Sequence, residues 1–160
     1  ITASGGLHFA FTGSIGFQKV ADLAALTPTL FMQRDSKVDN PLIQTARDLI
    51  ALRFIEGRHH IAAALRTRSG AVFTGVHVEA YVGRISVCGE ATALGAAATA
   101  GDTDIESIVA VNELGEVVAP CGMCRELISD YSPEAQIIIA RNGQLVSVPV
   151  AALLPDKYQR

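Results

Sequence analysis

The sequence predicts an α/β protein, a three-layer α/β/α sandwich built on a mixed sheet. Segments with helical apolar spacing alternate with short apolar runs of strand length, the pattern that lays helices on a sheet. Turns at Ser69-Gly70, Gly101, Gly115 and Asn142-Gly143 punctuate that alternation. With 160 residues, 49% of them hydrophobic and 18% charged, the chain has the size and composition of one globular domain.

The first 39 residues follow neither period. Gly5, Gly6, Gly13 and Gly16 interrupt short apolar pieces, so 1–39 reads as an N-terminal extension and 40–160 as the folded domain. Met32 opens a polar stretch, and a native start at Met32 is one expectation. Organisation begins at Asn40, an N-cap with Pro41 at the first helical position. Leu42, Ala46, Leu49, Ile50 and Phe54 then recur at helical spacing as far as Gly57. His60–Thr67 and Ala71–Val78 form a hairpin about Ser69-Gly70. Cys88–Ala100 is an alanine-rich helix stopped by Gly101. Ile105–Val111 is a strand, continued after a turn by Gly115–Val118, and Cys121–Tyr131 is a second cysteine-headed helix. Gln136–Ala140 and Leu145–Val148 flank the turn Asn142-Gly143, and Pro149 ends the second of them. Val150–Leu154 closes the domain with a turn of helix before a polar tail.

Charge and hydropathy narrow the function classes. Sixteen acidic against 13 basic residues give a net charge of −3; nucleic-acid binders gather a basic excess on one face. Nucleic acid is therefore not an expected partner. No apolar run approaches the roughly 18 residues that span a bilayer, and the apolar stretch from Leu7 to Phe17 lacks the basic flank and cleavage site of a secretory signal. A cytoplasmic protein without a membrane partner is expected. Three cysteines in a reducing compartment make a poor disulfide framework.

Their placement suggests metal instead. The cysteines fall in Cys88-Gly89-Glu90 and Pro120-Cys121-Gly122-Met123-Cys124, each at an expected helix N-terminus, where partial positive charge favours the thiolate that binds zinc. Structural zinc sites are closed by four protein ligands, whereas catalytic ones keep a position for water. Here the cysteines stop at three, so Cys88, Cys121 and Cys124 are the candidate ligands of one Zn2+ per chain, and Glu90 is placed to handle protons at an activated water. A closed structural site would recruit His59, His60 or His77 as a fourth ligand. A thioredoxin-like redox role would leave Cys88 unexplained.

Cys-x-Glu followed by Pro-Cys-x-x-Cys is a pattern of zinc deaminases. From Arg58 to Tyr158 the chain resembles the cytidine deaminase family, including its blasticidin-S deaminase branch. Further marks are Ala62-Ala63-Ala64-Leu65, the run Val72-Phe73-Thr74-Gly75-Val76-His77-Val78-Glu79, Arg125 after the last cysteine, and Leu153-Leu154-Pro155. The resemblance implies a sheet flanked by helices, a homotetramer whose sites neighbouring chains complete, and hydrolytic deamination of a cytosine-type nucleoside in pyrimidine salvage. It also implies that Glu90 carries protons from water to the ring nitrogen and to departing ammonia, and that the backbone of Gly89 holds the pyrimidine carbonyl.

Departures from the family pattern bear on the substrate. Relatives carry Asn-x-Glu on the ribose; here His77 stands for the asparagine and Glu79 is kept, so both are candidate sugar contacts, His77 equally a packed sheet-edge histidine. Ala91 replaces the arginine that often follows the catalytic glutamate, a feature shared with the blasticidin-S deaminase branch. Arg125 is then a candidate for compensating the thiolate charge, or a surface helix arginine. Tyr158 falls where relatives set an aromatic residue over the substrate of an adjoining subunit, or anchors the tail. Met123 reads as a core plug, and His59 with His60 as an exposed pair. One alternative keeps the chemistry and acts on a modified or antibiotic nucleoside like blasticidin S, or another amino-heterocycle; the alternative of another class is a zinc-stabilised binding protein without turnover, which would have no need of Glu90.

Overall fold

The computed structural model describes residues 38–158, so the Met32 start and nearly all of the extension lie outside the described residues. Helix α1 spans Asn40–Arg53 and presents Leu42, Ile43, Ala46 and Ile50 to the core. Its cap is Asp39, not Asn40: Asp39 Oδ1 accepts from the Leu42 N–H at 3.0 Å, while Oδ2 meets Arg66 Nε at 2.7 Å. The helix also stops short of Gly57. Phe54 turns extended (φ −53°, ψ 128°), and Gly57, with φ 72°, serves the turn beyond it.

Strands β1 (Ile61–Thr67) and β2 (Val72–Val76) form the expected hairpin. β2 lacks Ala71 at the start of the expected run and His77 and Val78 at its end, where Val78 leaves β1 to bridge Val87. Helix α2 (Gly89–Thr99) precedes β3 (Ile105–Asn112) and the two-residue β4 (Val117–Val118); helix α3 (Gly122–Tyr131) precedes β5 (Gln136–Arg141) and β6 (Gln144–Pro149). The six-stranded sheet has the order β2-β1-β3-β5-β6, with β4 paired to β3. Only the β3–β5 pair is parallel among the ladders of this sheet, and α3 makes its crossover. Asn142 and Gly143 take φ 51° and 76° in the β5–β6 turn, the positive values a two-residue hairpin needs. Pro149 pairs with Gln136 as the last residue of β6 rather than lying past it, and a short 3₁₀ turn, Val150–Leu153, follows.

Strand alternation divides the core into two layers. Ala62, Ala64, Val109, Val111 and Ile138 face α1. Ala63, Leu65, Ile108, Ala110, Ile137 and Ile139 face the side covered by α2 and α3. The result is the three-layer sandwich, with β1 and β3 buried on both faces. Among the described residues no helix is long and apolar enough to cross a membrane.

Candidate active site

The site is positioned by two glycines. A Cβ on Gly75 of β2 would meet Gly89 O at 2.6 Å, Thr92 Cβ at 2.7 Å and the backbone nitrogen of Ala93. A Cβ on Gly89 would lie 3.2 Å from Gly75 O and 3.3 Å from both Ala63 N and Ile61 O. Lacking side chains at both points, the first turn of α2 rests directly on the β1–β2 hairpin. That seat fixes Cys88 before the turn and Glu90 within it.

Cys88 and Cys121 are the N-caps of α2 and α3, each one residue outside its helix, and Cys124 lies in the first turn of α3. The three Sγ atoms lie within 4.8 Å of one another, and those of Cys88 and Cys121 are 3.6 Å apart. Cys124 is buried, Cys88 half-buried and Cys121 exposed, so the cluster opens on one side. Burial pushes the Cys124 thiol up, and the charges of Glu90 and Cys88 push it further. Burial and the Cys121 thiol likewise raise Cys88. Burial acts against the Cys121 thiolate too, but N–H groups at the head of α3 and the other two thiols outweigh it and lower its pKa. Three sulfurs that resist ionising together are a donor set whose mutual repulsion a divalent cation relieves, and their number leaves one tetrahedral position over. The residues fit zinc. None of His59, His60 or His77 belongs to this group among the described residues.

Glu90 is only 6% exposed. Its burial raises the carboxyl pKa, opposed by its own backbone N–H, the Cys124 thiol and the charge of His77. Beyond it stand His77 and Glu79, with His77 Nε2 3.4 Å from Glu79 Oε2. His77 Nδ1 is buried without a hydrogen-bond partner. The His59 ring donates from Nδ1 to His77 O at 2.7 Å, and His60 Nε2 accepts from the Gly57 N–H at 3.1 Å. The histidine pair is thus bonded into the loop before β1 rather than freely exposed. Glu79 is held by a residue that sequence reasoning missed: Ser86 Oγ donates to Glu79 Oε1 at 2.5 Å. That hydrogen bond, then the Ala80 N–H, holds the Glu79 carboxyl below its usual value against some desolvation.

Arg125 stitches backbone. Its Nε donates to Pro120 O at 2.9 Å and its Nη1 to Leu153 O at 3.0 Å, tying the loop before α3 to the closing 3₁₀ turn. Met123 is 74% exposed and is no core plug, because Cys124, not Met123, takes the buried position of the first turn of α3. Tyr158 is 79% exposed at the end of the described residues.

Residues 36–140 match the family model for the cytidine and deoxycytidylate deaminase zinc-binding region. The chain is 44% identical over 133 residues to a blasticidin-S deaminase of Bacillus cereus, covering 78% of this chain and 95% of that protein. It is 30% identical over 103 residues to a cytidine deaminase of Halalkalibacterium halodurans, covering 63% and 78% respectively. Among solved structures, the cytidine deaminase of Mycobacterium tuberculosis matches with TM-score 0.67 at 26% identity, over 78% of this chain and all of that one. The cytidine deaminase of Burkholderia pseudomallei matches with TM-score 0.66 at 28% identity, over 76% of this chain and all of that one.

Proposed function

This chain belongs to the cytidine and deoxycytidylate deaminase zinc-binding family, and we propose that it converts cytidine or deoxycytidine to the uracil form with release of ammonia. It is a zinc-binding hydrolytic deaminase acting on C–N bonds. The observation that carries the assignment of roles is a buried carboxyl, Glu90, set beside three convergent thiols.

Cys88, Cys121 and Cys124 would hold the zinc, which when bound lowers the pKa of water toward neutrality and so supplies a nucleophile. Glu90 moves the protons. Burial favours its protonated form, so a proton taken from water is readily held at the carboxyl. Glu90 then passes it to the ring nitrogen beside the amine-bearing carbon, and a second proton to the leaving ammonia. Gly89 N–H holds the pyrimidine carbonyl, a task that suits a residue with no room for a side chain. Glu79 and His77 take the sugar. Arg125 brings a positive charge next to the thiolates while bonding two backbone carbonyls.

A second substrate, a blasticidin-S-type nucleoside, is favoured by the identity to the Bacillus cereus relative and by His77 and Ala91, where cytidine deaminases differ. The chain works as a homo-oligomer, a tetramer, in cytoplasmic pyrimidine salvage, with Tyr158 reaching a neighbouring site. Exposed Tyr81, Val82 and Ile85 on one loop support a subunit interface.

Ammonia release from zinc-loaded protein, given cytidine, deoxycytidine, blasticidin S, cytosine and guanine in turn, tests the function. Turnover of cytidine or deoxycytidine is expected. Activity on blasticidin S alone would move the enzyme to the second substrate, and silence across the panel would refute deamination of these compounds.

A further inference from the structure

We propose that Ser86 is a positioning residue for substrate, holding one oxygen of Glu79 so that the other is turned toward the substrate site. The proposal rests on the assignment of Glu79 as a sugar contact made above.

The segment between β2 and α2 leaves the sheet after Val76 and enters α2 at Cys88. Its ends are clamped by reciprocal backbone bonds, Val78 N–H to Val87 O at 2.9 Å and Val87 N–H to Val78 O at 3.0 Å. That bridge brings Ser86 back to Glu79 across seven positions of sequence. Ser86 Oγ donates to Glu79 Oε1 at 2.5 Å and accepts from the Ala80 N–H at 3.1 Å. The Ala80 N–H also reaches Glu79 Oε1 at 3.2 Å. One carboxylate oxygen is therefore occupied by two donors from its own loop, while Oε2 lies 3.4 Å from His77 Nε2.

Such an arrangement separates two duties. Oε1 anchors the carboxylate to the loop, and Oε2, which retains lone pairs beyond its histidine contact, accepts from a substrate hydroxyl. Without the hydroxyl of Ser86, Oε1 keeps a single N–H donor, and the carboxyl rotates about a long flexible side chain that loses entropy on each binding event. The lowered pKa of Glu79, caused first by Ser86, agrees with the anchoring.

The test compares Ser86→Ala, Ser86→Thr, Glu79→Gln and the double variant Ser86→Ala/Glu79→Gln in the zinc-loaded full chain. Each is assayed with cytidine and with blasticidin S for kcat and KM, and the Glu79 carboxyl is titrated by carbon-13 NMR. Ser86→Ala is expected to raise KM about tenfold on the compound turned over, leave kcat within about twofold, and raise the Glu79 titration midpoint. Ser86→Thr restores both, and the double variant is no worse than Glu79→Gln alone. An unmoved midpoint, or further loss in the double variant, overturns the proposal. If Glu79→Gln impairs KM while Ser86→Ala does not, the role of Ser86 fails and that of Glu79 stands. If Glu79→Gln changes nothing, the sugar contact itself fails and takes the proposal with it.

Discussion

Placing one methyl group on Gly75 should displace α2. The Cβ of Gly75→Ala would stand 2.6 Å from Gly89 O, whereas ordinary contact begins near 3.4 Å. Relief requires α2 to move by about 1 Å, since Ala93 N lies closer still and the obstructing atoms are mostly backbone with no rotamer to change. Overpacking of this kind costs about 1–3 kcal/mol, which lowers Tm by roughly 4–12 °C in a domain of this size. The same displacement carries Cys88 and Glu90, and a misplacement near 1 Å costs on the order of 100-fold in rate. Gly95→Ala is the control: it adds the same methyl to the same helix where nothing lies within 4 Å. That variant should gain about 0.5–1 kcal/mol from helix propensity and keep its kcat/KM. Thermal melts, zinc content and steady-state kinetics on both proteins decide the matter. A Gly75→Ala protein with wild-type Tm and wild-type kcat/KM would refute the seating of α2 on β2.

Other outcomes follow from the site. Glu90→Gln keeps the shape of the buried side chain but not its proton transfer, so kcat should fall about 10³-fold with one zinc per chain retained by elemental analysis. Cys88→Ala removes one of the three proposed ligands, the one at the head of α2. Zinc content and activity should then fall together, and full activity in a zinc-free variant would rule out the metal's part in the reaction. Asp102 accepts from Ser69 Oγ at 2.6 Å and Thr67 Oγ1 at 2.7 Å, first the Ser69 bond and then the Thr67 bond lowering its pKa. Its charge therefore stabilises the fold above the unfolded value of about 3.9, and that contribution disappears as pH falls through the lower folded pKa. The denaturation midpoints of Asp102→Asn and wild type should accordingly differ more at pH 7 than at pH 3.

The metal motifs were legible in sequence because each is local: a cysteine before a helix, then a second functional group within one turn. That His77 and Glu79 lie together was legible for a similar reason, two positions apart beside a strand. Local pattern also located α1–α3 and the strand cores among the described residues, since β1 and β3 are apolar on both faces and α1 is amphipathic, but not the 3₁₀ turn Gly83–Ile85. What escaped depends on partners distant in the chain. Asp39 takes the cap of α1 while also meeting Arg66, an ion pair that spacing does not announce. Ser86 lies seven residues from Glu79 and meets it only through the Val78–Val87 bridge. Gly75 stood inside an expected strand with no signal of its own, and its need for bare backbone comes from α2, packed there by the tertiary fold. Met123 misled because an apolar residue between two ligands resembles core, whereas the periodicity of α3 turns it to solvent.

The sheet order also ties the cysteine cluster to the central strand. Ala64 pairs with Val109, and the excursion between them contains Cys88 and Glu90. Ser107 pairs with Gln136, and that excursion contains Cys121 and Cys124. Each half of the zinc cluster thus rides on a long loop that closes only when β3 docks, once against β1 and once against β5. Non-local closures of this kind are the slow steps of folding. The Cys-x-x-Cys pair is local in the chain, and the sulfur of Cys88 reaches it only across these closures. The assembled three-sulfur cluster therefore depends on β3 lying between its two partner strands.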